Sequence, residues 1–373
     1  MARRKRPQSA PARAGALAEI RTRIDAIDGR LQALIAERAQ LARDVGSSKR
    51  AAGGTAEFYR PERESEILTR VVKRNRGPLS DEEMVRLFRE IMSACLAQQE
   101  PLKVAFLGPE GTFTQQAVYR HFGHSVRAVP LPAIDEVFRE VESGTADFGV
   151  VPIENSTEGT VNHTVDMFLS SPLKICGEVE LRIHQHLLGR MKGLRKVQRV
   201  CSHLQSFAQC RHWLDEHLPK AERIACGSNA EAARRARDEE GTAAIAGQAA
   251  AEVYGLSVLV PEIEDRPDNT TRFLVVGRKI LAPSGRDRTT LLISAPDTAG
   301  SGALVRLLEP LATHGVNMTR LESRPSRRRK WDYVFFLDLE GHAEDAPVAA
   351  ALAELKERAS LFRLLGSYPR AVL

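Results

Sequence analysis

Long apolar runs, regularly spaced cysteines and a charged body are all missing from this 373-residue sequence. No run approaches the roughly 20 apolar residues of a membrane-crossing helix, so no membrane partner is expected. The five cysteines, Cys95, Cys176, Cys201, Cys210 and Cys226, are odd in number and show no C-x-x-C spacing. That argues against a disulfide framework and against a structural zinc site, and neither metal nor cofactor is expected. The formal charge of +6 invites a nucleic-acid reading, but Arg3, Arg4, Lys5, Arg6 and Arg13 crowd into an acid-free start. Only +1 is left for the rest of the chain, too little for a surface that tracks phosphates, so no nucleic-acid partner is expected. The start also lacks the apolar core and cleavage pattern of a secretory signal, which points to a reduced, cytoplasmic protein. An arginine-rich, acid-free start is also the look of an organelle transit peptide, the minor alternative.

What is present is pattern. Residues 1–15 are expected to form a disordered basic tail and 16–100 an all-α unit. Leu17, Ile20, Ile24, Ile27, Leu31, Leu34, Leu41 and Val45 recur at spacings of three and four, the seam of a helix of some 33 residues, about 50 Å long. Ala51-Ala-Gly-Gly54 ends it, Pro61 opens a second helix running to about Asn75, and Ser80-x-x-Glu83 is a capping box that opens a third. Three helices so unequal make a poor core alone, so an intertwined homodimer is expected, with further pairing into a tetramer left open. Past Glu100-Pro101 short apolar runs alternate with helical stretches, with strands at 103–107, 126–130, 148–152, 174–183, 199–201, 224–226, 243–246 and 272–276. This predicts a two-lobed α/β domain over 101–280 with a largely parallel sheet. Pro283-Ser-Gly285 reads as a linker. Over 286–373, strands at 289–295, 316–322, 333–339 and near 362–365 and helices at 303–314 and 346–358 make a ferredoxin-like βαββαβ unit.

The first chemical anomaly lies on the long helix. Arg38 stands where the seam calls for an apolar residue, and Lys49 follows one turn past Val45 on the same face. Cations turned into a helical core require anions there; the alternative is that both lie along a surface with their charges in water. Arg63 and Glu64 on the second helix, and Gln99 at the end of the third helix's apolar stripe, are the polar groups available to them. In the α/β part, Gly108-Pro-Glu-Gly-Thr-Phe-Thr114 offers backbone N–H groups at a helix start. Phe148-Gly-Val-Val-Pro-Ile-Glu-Asn-Ser156 delivers Glu154, Asn155 and Ser156 at a strand's carboxyl end, where open α/β sheets bind ligands. Ser202, with Gln205 and Gln209 on the next helix, and Asn269-Thr-Thr-Arg-Phe273 are similar deliveries. Each one alone reads sooner as a cap or a turn.

Ala18-Glu-Ile-Arg21, Asp25-x-x-Asp28, Ala36-Glu-Arg-Ala39, Val45-Gly-x-x-Lys49 and Tyr59-Arg-Pro-Glu-Arg-Glu64 closely resemble the helical chorismate mutase domain. The chain continues into runs that resemble prephenate dehydratase and then an ACT domain. Over about residues 16–370 it resembles the bifunctional chorismate mutase/prephenate dehydratase family of phenylalanine biosynthesis. The resemblance implies chorismate and prephenate as substrates, phenylalanine as effector, and an isomerase followed by a lyase. It carries Arg21, Arg38, Lys49, Arg63, Glu64 and Gln99 over as mutase positions. Arg21 is roughly 100° around the helix from Arg38, which fits a family that takes this arginine from the dimer partner. Arg60 and Cys95, where the family pattern has an acid and a serine, are carried over as secondary contacts. Thr271 is the residue most tied to the dehydratase, with Thr112, Glu154, Asn155, Ser156, Ser202, Gln209, Arg272 and Phe273 around the substrate.

For the third unit the resemblance implies an effector site at a subunit interface. Gly302, Ala303 and Leu304 form one wall and Glu322, Ser323, Arg324 and Pro325 the other, and Asn317 is placed to pair with an amino-acid backbone. Arg327-Arg-Arg-Lys330 reads as a solvated loop. The rival from another class is a non-catalytic ligand sensor with a dimerisation helix, which has little reason to carry Arg38, Lys49, Glu64, Gln99 and Thr271 together.

Overall fold

The computed structural model describes residues 10–51, 59–296, 300–326 and 333–372, with side chains from residue 17. Helix α1 (Ala10–Ala51) is 42 residues long, about 63 Å. The backbone is thus already helical within the stretch expected as a tail, while residues 1–9 and the expected helix end at Ala-Gly-Gly lie outside the described residues. Helix α2 (Pro61–Arg74) starts with proline in its first turn. Helix α3 (Asp81–Ala97) opens with the capping box: Ser80 Oγ accepts from Glu83 N at 3.2 Å, and Ser80 N donates to Glu83 Oε2 at 3.1 Å. Leu68, Val85 and Met92 form a small core between α2 and α3. The seam of α1 finds no such cover: Leu17, Ile20, Ile24, Ile27, Leu31 and Leu34 are each about half exposed. No described helix is long and apolar enough to cross a membrane.

The chain then builds β1 (Lys103–Leu107), α4 (Phe113–Phe122), β2 (Arg127–Leu131), α5 (Ile134–Glu142), β3 (Phe148–Asn155), β4 (Gly159–Thr160), α6 (Asn162–Met167) and β5 (Lys174–Arg182). It crosses into a second lobe of β6 (His186–Gly189), β7 (Arg199–Ser202), α7 (Leu204–Gln209), α8 (Arg211–His217), β8 (Glu222–Ala225), α9 (Asn229–Asp238), β9 (Thr242–Ala246), α10 (Gln248–Tyr254) and β10 (Ser257–Val260). Strand β11 (Thr270–Gly277) returns to the first lobe. The strand orders are β2-β1-β3-β11-β5, with β4 beside β3, and β10-β6-β9-β7-β8. The largely parallel sheet expected from the alternation is corrected to two mixed sheets. Pairs β1–β2, β1–β3, β7–β8 and β7–β9 are parallel, but β11 runs antiparallel to both β3 and β5, and β6 to both β9 and β10. The cause is the chain path: β11 re-enters from the other lobe, without the crossover helix that would bring it back parallel.

The last unit comprises β12 (Asp287–Ser294), α11 (Ala303–Thr313), β13 (Met318–Pro325), β14 (Tyr333–Glu340), α12 (Ala346–Arg358) and β15 (Leu361–Pro369). Its antiparallel sheet has the order β13-β14-β12-β15 of a ferredoxin-like fold. One face packs on α11 and α12 through Leu291, Ile293, Leu337 and Leu339. The other, with Leu292, Phe336, Leu365 and Tyr368, shares a core with Val151, Ile175 and Phe168 of the first lobe. At Gly366 the backbone of Ile175 comes so close that a Cβ has no room. The basic run 327–330 lies outside the described residues.

Candidate active sites

A cleft of about 1170 Å³ lies between the two lobes. Its floor comes from strand alternation: Asn155 and Thr271 are cross-strand partners on β3 and β11, and side chains two apart share a face, so Thr271 and Phe273 both line the cleft. Asn155 Nδ2 donates to Thr271 Oγ1 and to Asn269 Oδ1, each at 2.8 Å. Asn155 Oδ1 in turn accepts from the backbone of Thr157 and Glu158, which locks the amide's orientation. Asn269 is buried, and its Nδ2 has no partner among the described residues. Thr112 caps α4 and lines the same cleft. From the second lobe, Gln209 Oε1 accepts from Gln185 Nε2 at 3.1 Å, and Ser206 Oγ accepts from Asn229 Nδ2 at 2.8 Å.

The other expected substrate contacts lie elsewhere. Ser156 ties strand ends, its Oγ accepting from Thr270 N. Ser202 is fully buried and bonded to Asn229 and Ile245, behind the cleft wall. Glu154 and Arg272, themselves cross-strand partners, are turned by the same alternation to the opposite side. There Glu154 pairs with Arg320 at 3.3 Å and Arg272 with Glu178 and Asp338.

In the helical unit Arg38, Ala39, Ala42, Gly46 and Lys49 form the more covered face of α1. Gln99 of the α3 end packs on Gly46, and its buried Oε1 has no partner among the described residues. Glu64 is directed away from this seam, 3.7 Å from Arg89 and beside Tyr59. Burial raises its carboxyl to about 7 despite Arg89. The same burial, reinforced by Arg89, lowers His121 to about 3, so the ring that meets the Tyr59 hydroxyl at 3.3 Å is neutral. Arg63 pairs with Glu66 on the surface, Arg60 with Glu62, and Arg21 is exposed. Cys95 is buried in the helix core. One chain therefore sets Arg38 and Lys49 on the same covered face of α1, with Gln99 packed on Gly46 between them in sequence, and leaves Arg21, Arg60, Arg63 and Glu64 off that face.

In the third unit Gly302 caps α11 with φ +76°, and Ala303 and Leu304 are half-buried. Strand β13 alternates: Ser323 and Pro325 are exposed, whereas Glu322 and Arg324 meet the first lobe. Glu322 Oε2 accepts from Thr160 Oγ1 at 2.8 Å, and Arg324 reaches Asp166 at 3.0 Å. Thr160 also lines the cleft. Asn317 donates to Glu340 at 3.1 Å.

Three family models match in series: chorismate mutase type II over residues 20–100, prephenate dehydratase over 104–280 and the ACT domain over 289–357. A bifunctional chorismate mutase/prephenate dehydratase of Stutzerimonas stutzeri is 53% identical over 96% of this chain and 98% of its own. The chain belongs to the bifunctional chorismate mutase/prephenate dehydratase family. A relative of the same description from Pseudomonas aeruginosa is also 53% identical over 96% of this chain and 98% of its own length. Among solved structures, the prephenate dehydratase from Arthrobacter aurescens in complex with L-Phe superposes with a TM-score of 0.67. It is 37% identical over 72% of this chain and 90% of that one. Within this family frame, sequence reasoning missed Gln185, Asn229 and Arg89. Asn229 had a signal, since it follows Ser228 at a helix start just past a strand. Gln185 and Arg89 had none, because their partners are distant in sequence.

Proposed function

We propose that this chain catalyses two successive steps, chorismate to prephenate in the helical unit and prephenate to phenylpyruvate in the interlobe cleft, with phenylalanine as effector of the third unit. The observation that carries the second step is the 2.8 Å bond from Asn155 Nδ2 to Thr271 Oγ1. A hydroxyl whose oxygen is already engaged as acceptor turns its own proton elsewhere, here into the cleft. There it hydrogen-bonds the ring hydroxyl of prephenate, which takes up a proton delivered through solvent water and leaves as water while carbon dioxide departs and the ring becomes aromatic, the threonine keeping its own proton. Phe273, Ile183 and Pro152 in the wall leave the departing carboxylate poorly solvated, which favours its loss. Asn269 Nδ2, unpartnered among the described residues, is a further donor for the substrate.

The mutase step is pericyclic, with no essential proton transfer, so the site needs only to clamp a dicarboxylate in its compact conformer and face the ether oxygen with donors. Arg38 and Lys49 share the covered face of α1 on which Gln99 packs, which supports this role. Arg21 is about 25 Å up the helix from Arg38. The half-exposed seam of α1 supports a homodimer in which the partner copy brings its Arg21 to this seam. Exposed Ser323 and Pro325 fit an effector site that a second copy completes, and the cytoplasm is the compartment proposed. The test is incubation of purified protein with chorismate, with prephenate and phenylpyruvate followed separately, with and without phenylalanine. Both products in sequence, the second suppressed by phenylalanine, are expected; absence of both products returns the chain to the sensor reading.

A further inference from the structure

The family pattern sets Arg272 beside the substrate, yet its guanidinium leaves the cleft and enters the junction with the third unit. Its Nε lies 2.9 Å from Glu178 Oε2 on β5, its Nη1 2.6 Å from Asp338 Oδ2 on β14, and its Nη2 3.0 Å from the Tyr368 hydroxyl on β15. All three nitrogens are held, two of them by the ferredoxin-like sheet. The partners are fixed in turn: Thr290 Oγ1 on β12 lies 2.6 Å from Asp338 Oδ1 and 2.8 Å from the Tyr368 hydroxyl, and Arg288 shares Glu178. Asp338 and Tyr368 are fully buried and Glu178 nearly so. Two cations against two anions leave the cluster neutral, and a planar fork with three partners fixes orientation as well as distance. Burial opposes the charge of Arg272, but Tyr368, Asp338 and Glu178 hold it firmly protonated.

On the cleft side, Thr271 and Phe273 flank this anchored residue on the same strand. A strand paired on both edges moves as a unit, so displacement of the Arg272 fork displaces the Thr271 hydroxyl. We propose that Arg272 is a positioning residue through which the β12–β14–β15 sheet sets Thr271 and Phe273 in the cleft, and through which effector binding to the third unit reaches the dehydratase. The second half rests on the feedback reading above; the first does not.

Two variants of the full chain test this, with unfolding midpoint and mutase turnover as controls for folding. Arg272→Lys keeps the charge and loses the fork, and Tyr368→Phe removes one hydroxyl from the third unit. For Arg272→Lys, kcat on prephenate should fall about a hundredfold, the scale of an ångström-sized misplacement. Its KM should stay within about threefold, since no substrate contact is lost. Tyr368→Phe should lower kcat less and raise the phenylalanine concentration for half-inhibition severalfold. A raised KM with kcat retained would mean that Arg272 touches substrate and would overturn the proposal. So would wild-type kcat and phenylalanine response in both folded variants. If the unaltered chain ignores phenylalanine, the feedback half falls and kcat alone decides the positioning half.

Discussion

An Asn155 amide that donates to the Thr271 oxygen leaves the threonine proton free to turn into the cleft that Thr271 lines. Thr271→Ala deletes that donor and leaves the strand intact. Dehydratase kcat should fall by about two to three orders of magnitude, as for other single donors to a developing charge, while mutase turnover is unchanged. Equal loss of both activities would refute separate sites. Glu64 supports a prediction of a different kind. Burial holds its folded-state carboxyl near 7, above the ordinary 4.5, so between these values the folded chain keeps a proton that the unfolded chain releases. Stability from this group is full below 4.5 and declines as pH rises towards 7. Urea midpoints at pH 5 and pH 8 should therefore differ less in Glu64→Gln than in the unaltered chain; an unchanged difference would show that Glu64 ionises normally in the fold.

At the scale of elements, α1 presents two requirements that one chain does not meet: a half-exposed apolar seam and an Arg21 remote from Arg38, Lys49 and Gln99. Shared sites make this testable by mixing. Arg21→Ala and Lys49→Ala should each abolish mutase turnover, but co-expressed and randomly paired they should recover about a quarter of the unaltered activity, because each mixed dimer has one intact site. No recovery means that each chain completes its own site. The α1 seam and the Ser80 capping box were legible in the sequence because their partners are three or four residues away. The direction of β11 was not, since it depends on a path through a whole second lobe. Strand β4, two residues long, is too short to leave an apolar run. Arg272 shows where resemblance and pattern disagree: simple alternation along Thr271-Arg272-Phe273 already turns the arginine from the threonine's face, and the structure follows the alternation. Glu64 with Arg89 was hidden because their pairing is set by how α2 lies on α3.

Across the whole molecule the helical unit is not a bead on a string. Tyr59, just ahead of α2, is buried among first-lobe aromatics, with ring centroids 5.4 Å from Phe122 and 5.3 Å from Phe148. Glu90 of α3 accepts from His124 N at 3.1 Å, and Ser93 Oγ accepts from Ser125 N at 3.3 Å. At Gly123 between them, φ is +73° and a Cβ would stand 2.5 Å from that of Ser93. From the other end of the chain, Val372 packs on the Leu68, Val85 and Met92 core. A core that small gains much of its stability from these neighbours, so the helical unit and first lobe should unfold together in scanning calorimetry. Tyr59→Ala removes the largest apolar link and should cost about 3–5 kcal/mol, the range for a buried aromatic. Because the loss falls on the junction, the single transition should split, with mutase activity disappearing in the lower step and dehydratase activity in the upper. Two transitions already present in the unaltered chain would mean that each unit folds on its own core, and one unsplit transition at its original temperature in the variant would mean that Tyr59 does not carry the coupling.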